Sequence, residues 1–171
     1  VVNTLKNFAY RKEYISVEGL PELRAAVANY YTDTLVTDCD ASQVFIGPGS
    51  KELMFLLQMI LDGETIIPTP SWVSYPPQAA MLKRNVIYIQ TSADSNWLLS
   101  ADQLDAKLNH SSSATKLLIL NYPGNPSGTT YQESDLIALA EIARKHEVLI
   151  LSDEIYGRLN HDGSHQSIAK F

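Results

Sequence analysis

Val148-Leu149-Ile150-Leu151-Ser152-Asp153-Glu154-Ile155-Tyr156 is the stretch from which the fold can be read. Its four opening residues are apolar without a break, the pattern of a strand buried on both faces in a parallel sheet. The run then ends in two acids and, shortly after, a tyrosine. In an open α/β sheet the carboxyl ends of strands open onto the ligand crevice. Asp153 is therefore expected at the crevice floor, at the end of a central strand, with Tyr156 free to point into the same space. Taken by itself, the segment also suits a strand that ends in a solvated acidic turn.

The rest of the chain supplies the alternation that such a sheet needs. Before the organising strand, a helix carries Leu136, Leu139, Ala140 and Ala143 on one face and ends near His146. Thr130-Tyr131-Gln132-Glu133 opens it with the pattern of a capping box. Lys116–Asn121 is a strand, and Tyr122–Thr129 is a loop. Ser100-Ala101-Asp102-Gln103 is a further capping box, for a helix through Leu108. Val86–Gln90 is a strand preceded by a helix over about Tyr75–Leu82, and Thr65–Pro68 is the strand before that. Gly49-Ser50-Lys51 begins a helix to about Leu61 that is apolar nearly all round, so burial is expected. Gln43–Ile46 is a short strand. Thr32–Ser42 is a polar connector, and Ser111-Ser112-Ser113 is a short loop. Pro21 suits the first turn of a helix striped by Leu23, Val27 and Tyr30 or Tyr31. Residues 1–18 are polar and aromatic without a period. The order predicts an α/β fold, a mostly parallel sheet covered by helices.

Composition narrows the function classes. With 171 residues and a 45% hydrophobic fraction, one cored domain is expected. The 13 basic residues are scattered and outnumbered by 19 acids, for a net charge of −6, which argues against a nucleic-acid partner. Cys39 is the only cysteine, so an internal disulfide or a cysteine metal site is excluded, and no metal is expected. Apolar runs fall far short of the roughly 18 residues of a membrane span. No signal peptide is visible, and the cytoplasm is the default location. The chain starts at Val1 rather than Met and stops at Phe171, which reads as a piece of a longer protein.

Four stretches carry chemistry, each at or just beyond a strand's carboxyl end. Gly47-Pro48-Gly49-Ser50-Lys51 leads into a helix start whose free N–H groups and dipole suit a phosphate, although a plain strand-to-helix turn looks the same. It matches neither the nucleotide P-loop nor the dinucleotide glycine motif. Pro70-Ser71-Trp72-Val73-Ser74-Tyr75 offers an aromatic that can stack on a flat ligand or pack in a core. Trp97 lacks such a setting and is read as structural. The Asn121–Tyr131 loop, NYPGNPSGTTY, is dense in proline and glycine, and its Asn125 amide can donate to a ligand oxygen. Asp153 with Tyr156 is the fourth. Thr69–Pro70 and Asn125–Pro126 are expected to be cis, since both lie in tight turns leaving strands.

Together these stretches resemble the pyridoxal-phosphate-dependent aminotransferases of class I/II, fold type I. NYPGNPSG is similar to the family's N-P-[ST]-G loop and SDEIY to its D-x-x-Y strand end, at the family's separation of Asn125 from Asp153. TPSWVSYP resembles the segment that lays an aromatic on the cofactor ring, and GPGSKEL the phosphate-holding helix start. The resemblance covers nearly the whole chain. It implies pyridoxal 5′-phosphate as cofactor. Asp153 would then face the pyridine nitrogen, Tyr156 and Asn125 the phenolic oxygen, and Trp72 the ring face. Gly49, Ser50 and Lys51 would hold the phosphate. Tyr14, in YISVEGLPELR, matches a tyrosine that reaches the neighbour's cofactor phosphate across a homodimer. The implied substrates are an amino acid and a 2-oxo acid.

The resemblance also marks what is missing. The family's Schiff-base lysine, in an S-x-x-K segment, is expected beyond Phe171, since Lys170 has no matching context and Lys51 belongs to the phosphate turn. Residues 1–171 would then be part of a large, cofactor-binding domain, without the small domain and the C-terminal half. No catalytic lysine is assigned within the chain, and the chain alone is expected to be inactive. A lyase or synthase of the same fold shares this cofactor shell. A truncated homologue serving as a non-catalytic binding domain, or another α/β protein binding a phosphate ligand at Gly49, also remains open.

Overall fold

Glu64–Thr69 (β1), Val86–Gln90 (β2), Lys116–Asn121 (β3) and Val148–Asp153 (β4) pair in parallel, in the order β2-β1-β3-β4. The computed structural model describes residues 1–35, 38–111, 113–161 and 163–171. They form two compact units, Val1–Pro48 and Gly49–Phe171. The sheet belongs to the second.

Strand pleating sends alternate residues to opposite faces, so each inner strand feeds two cores. Met54, Ile67, Tyr75, Leu117, Ile119 and Leu151 pack on one face. There Ser50–Ile60 (α3) and Tyr75–Met81 (α4) lie over the sheet. Ile66, Ile89, Leu118, Leu120 and Val148 supply the other, under Ala101–Leu108 (α5) and Glu133–Lys145 (α6). The α/β layering therefore agrees with the strand–helix alternation of the sequence. From β1 the chain steps to β2, then recrosses to place β3 on the opposite side of β1. Loops leaving β1 and β3 diverge at that switch point, where a crevice opens beyond the carboxyl ends.

Several local expectations need correction. Among the described residues β4 pairs with β3 alone and Leu149 is 50% exposed, where a central strand buried on both faces was expected. Helix α3 is likewise only half covered. Met54 and the polar Gln58 are buried, while Leu56, Met59 and Ile60 face outward. The cap of α6 is Gln132, whose N–H donates to Asp135 Oδ2 at 3.1 Å, two residues later than the Thr130–Glu133 reading. Ser100 and Gln103 do form the expected reciprocal box. Thr69–Pro70 and Asn125–Pro126 are cis as expected, and so is Tyr122–Pro123.

In the first unit, Val2–Phe8 (α1) is a helix with no buried residue, which explains why no apolar period announced it. A second helix, Pro21–Leu35 (α2), starts at its proline and runs into the stretch expected as a connector; residues 36 and 37 of that stretch lie outside the described residues. Ala28, not Leu23, is its buried residue. Gln43–Ile46 is not a strand. Asp40 caps a 3-10 turn at Ala41–Gln43, and Ile46 N–H meets only the Glu18 carbonyl, at 2.8 Å. Gly19 is required there, because a Cβ would lie 2.6 Å from that of Ile46. Of the serine loop, Ser112 lies outside the described residues. No helix among the described residues is long and apolar enough to cross a membrane.

Beyond β4, the final stretch docks through Glu154. Its Oε1 accepts from Tyr122, Ser152 and Ser167, and its Oε2 lies 2.7 Å from His165 Nε2. Burial pushes the carboxyl pKa up, but the hydrogen bonds from His165, Ser152 and Ser167 outweigh it and hold the group below its ordinary value of 4.5. The unfolded chain therefore takes up this proton at a higher pH than the folded one. The network's stabilisation is complete above the ordinary glutamate range and is lost as pH falls through the lowered folded value. Urea midpoints measured between about pH 6 and about pH 3 should drop steeply at the acid end. Glu154→Gln should lower the midpoint at neutral pH and flatten that acid dependence.

Candidate active site

Asp153 arrives at the carboxyl end of β4 because β4 runs in register with β3, pairing Asn121 with Asp153. It is 9% exposed. An ionised carboxylate at that depth needs partners, since burying an unpaired charge is costly. Tyr75 provides one. Its hydroxyl donates to Asp153 Oδ2 at 2.7 Å, while Oδ1 accepts a long 3.4 Å bond from Ile155 N–H. Burial, followed by the hydrogen bond to Asp153, pushes the Tyr75 phenol far above its ordinary range. The phenol therefore stays a donor, and Asp153 stays its acceptor.

In the sequence Tyr75 reads as the end of the tryptophan segment and the start of a helix, yet it is the residue that holds Asp153. Its signal was weak, because nothing in PSWVSY distinguishes a core tyrosine from one aimed at an acid 78 positions on. Asn121 was missed in the same way. Its amide donates to the Asp153 carbonyl at 2.8 Å, and its oxygen accepts from Asn125 N–H at 2.7 Å. That pair of bonds fastens the proline-rich loop to the end of β4.

Around Asp153 the chain ends of several elements meet. A cleft of about 70 Å³ is lined by Ser50, Trp72, Tyr75 and Asn121, and by Asn125, Asp153, Ile155 and Tyr156. Five of the sequence candidates are therefore brought together: Ser50, Trp72, Asn125, Asp153 and Tyr156. A second recess of about 30 Å³ shares Tyr75, Asn121 and Asn125 and adds Trp97, which is 44% exposed. Trp72 stands edge-on to Tyr75, with ring centroids 5.4 Å apart.

Gly49 and Lys51 do not line the cleft, but they shape its Ser50 side. Gly49 is the N-cap of α3, with φ +146°, and it brings no side-chain cap. A left-handed backbone of that kind favours glycine. The first N–H groups of the helix are thus offered outward, at the positive end of its dipole. The Lys51 ammonium lies 5.5 Å from the centroid of the Trp72 ring. Tyr14 belongs to the other unit and is fully exposed.

The donor set suits an anionic aromatic ligand with a basic nitrogen. It combines an uncapped helix start, an indole, a free Asn125 amide and a buried carboxylate held as an acceptor. Among the described residues no group of three or more His, Cys, Asp or Glu side chains could hold a metal ion.

The chain is similar to known aminotransferases in sequence and in fold. An asparagine–oxo-acid transaminase of Streptococcus mutans is 36% identical over 154 residues, 88% of this chain and 38% of that protein. An aspartate aminotransferase of Bacillus subtilis is 36% identical over 162 residues, 92% of this chain and 40% of its own. The structure of Thermus thermophilus aspartate aminotransferase with maleate superposes with a TM-score of 0.88 at 29% identity, covering 98% of this chain and 44% of that one. The Rhizobium meliloti aspartate aminotransferase gives a TM-score of 0.90 at 27% identity, with 99% and 43% covered. The chain thus spans about two fifths of the length of these curated relatives. Residues 3–170 match the family described as aminotransferase class I and II, whose members depend on pyridoxal phosphate. The chain belongs to that family.

Proposed function

We propose that the full-length protein is an aminotransferase that moves an amino group between an amino acid and a 2-oxo acid, using pyridoxal 5′-phosphate. Residues 1–171 would be the first part of its large, cofactor-binding domain. The observation that carries this reading is the convergence of Ser50, Trp72, Asn125, Asp153 and Tyr156 on one cleft. The curated names of the relatives, transaminases of asparagine and aspartate, favour a small amino acid substrate of that kind.

When bound, the cofactor supplies an electron sink, which works best with its ring nitrogen protonated. Asp153 keeps that proton in place. A carboxylate within about 4–6 Å raises the pKa of a cationic partner by roughly 1–3 units. Tyr75 holds the carboxylate in its acceptor role and fixes its direction. Trp72 sets the plane of the ring and excludes water from one side. Asn125 and Tyr156 donate hydrogen bonds to the phenolic oxygen. Backbone N–H groups of Gly49, Ser50 and Lys51, with the Ser50 hydroxyl, hold the phosphate at the positive end of the α3 dipole. Tyr14 would serve the partner's cofactor phosphate in a homodimer.

The covalent lysine is assigned beyond Phe171, so the 171-residue chain by itself should not turn over. Among the described residues, no lysine lines the cleft. Lys170 pairs with Glu133 at 3.6 Å, and Lys51 lies over Trp72. Borohydride reduction of the full-length protein with pyridoxal 5′-phosphate, followed by peptide mapping, should mark a lysine after residue 171. A mark on Lys51 or Lys170 would sink that assignment.

Substitutions at two positions separate the roles at the ring nitrogen. Asp153→Ala in the full-length protein should leave the fold intact and cut aspartate–2-oxo acid transfer by about 100-fold or more, with Asp153→Glu milder. Tyr75→Phe keeps the ring packing and removes one hydrogen bond to a charged group. Its kcat should fall by about tenfold. Near-normal turnover in Asp153→Ala would rule out the role given to this carboxylate.

A further inference from the structure

Helix α3 carries one polar residue on its covered side, Gln58, which is 1% exposed. Its Nε2 donates to the Met54 carbonyl at 3.3 Å and to Gln78 Oε1 of α4 at 3.0 Å. Gln78, itself 7% exposed, uses its own Nε2 to donate to the Lys51 carbonyl at 2.8 Å. Gln58 Oε1 is left buried with no partner. Leu57, Leu61 and Met54 fill the rest of this face, so an apolar side chain in place of Gln58 would avoid the cost of burying a polar group. The amide pair is therefore not explained by packing.

Its placement on α4 suggests a purpose. Tyr75 and Gln78 are three residues apart and so lie on one side of that helix. Tyr75 reaches Asp153, the residue read as facing the ring nitrogen. Gln78 reaches the first turn of α3, read as the phosphate end. Pinning the Lys51 carbonyl fixes the peptide plane next to the one that presents the Lys51 N–H, and two planes from the one that presents the Ser50 N–H. α4 thus connects both ends of the proposed cofactor site through two hydrogen bonds, one buried and one partly so.

We propose that Gln78, supported by Gln58, is a positioning residue that orients the α3 first turn for a phosphate ester, with α4 setting the spacing between that turn and Asp153. This rests on the cofactor reading above. Its consequence is selective: loss of Gln78 weakens recognition of the phosphate without weakening recognition of the pyridine ring.

The test compares dissociation constants of the full-length protein for pyridoxal 5′-phosphate and for pyridoxal, which lacks the phosphate. Gln78→Met should lower the preference for the phosphorylated form by about tenfold, the scale of one hydrogen bond, and leave pyridoxal binding unchanged. The Gln58→Met/Gln78→Met double variant replaces the whole pair with apolar side chains of similar length and should show the same loss with a secure fold. Leu104→Ala, in the core on the opposite face of the sheet, serves as a control for general destabilisation and should leave the preference as in wild type. A preference unchanged in both glutamine variants, or an equal loss for both ligands, would overturn the brace. Wild-type protein that binds neither ligand would instead overturn the cofactor reading, and the brace with it.

Discussion

The hydrogen bond from Tyr75 to Asp153 is the constraint on which the site depends. A carboxylate that is nine-tenths buried cannot be left to find water, and its partner must come from elsewhere in the fold. Tyr75 comes from the start of α4, just after the crossover from β1, and Asp153 from the end of β4. For the bond to form, β3 must lie between β1 and β4 in parallel register. The bond is thus a consequence of sheet topology, and it converts that topology into a fixed acceptor facing the crevice.

Two further sets of bonds define the same floor. Asn121 ties the loop of Asn125 to the Asp153 backbone, so the amide and the carboxylate keep one relative placement. Glu154, next in the chain, points away from the cleft's lining and gathers Tyr122, Ser152, Ser167 and His165. Adjacent acids therefore have opposite assignments. Asp153 lines the cleft, while Glu154 holds the strand end and the stretch after it together. A buried, fully engaged carboxylate of this kind rigidifies what lies beside it.

Relatives more than twice as long share the fold of this chain, with TM-scores near 0.9 over nearly all of it. The candidate residues read from the sequence therefore fall within one continuous stretch of a longer family architecture. Parallel strands make this possible, because their carboxyl ends all open on one edge of the sheet.

Much of the fold was legible because strands and helices leave periodic marks. The runs at Val86–Gln90 and Lys116–Asn121 have the boundaries observed, and the inner face of α6 is the one its period predicted. The candidate chemical residues were legible only as a set of motifs at successive strand ends, since glycine, proline, asparagine and acid are each also common in plain turns. What local pattern could not carry was anything set by distant partners. β4 reads as a central strand, but its rank in the sheet depends on which strands flank it. Helix α3 reads as wholly buried, but its covered side depends on where α4 lies. Tyr75, Asn121, Gln58 and Gln78 gain their roles only through partners brought near by the fold. Side-chain hydrogen bonds across 20 to 78 positions leave no local periodicity, so the sequence determined the elements and the candidate chemistry, and the tertiary structure alone decided which groups meet.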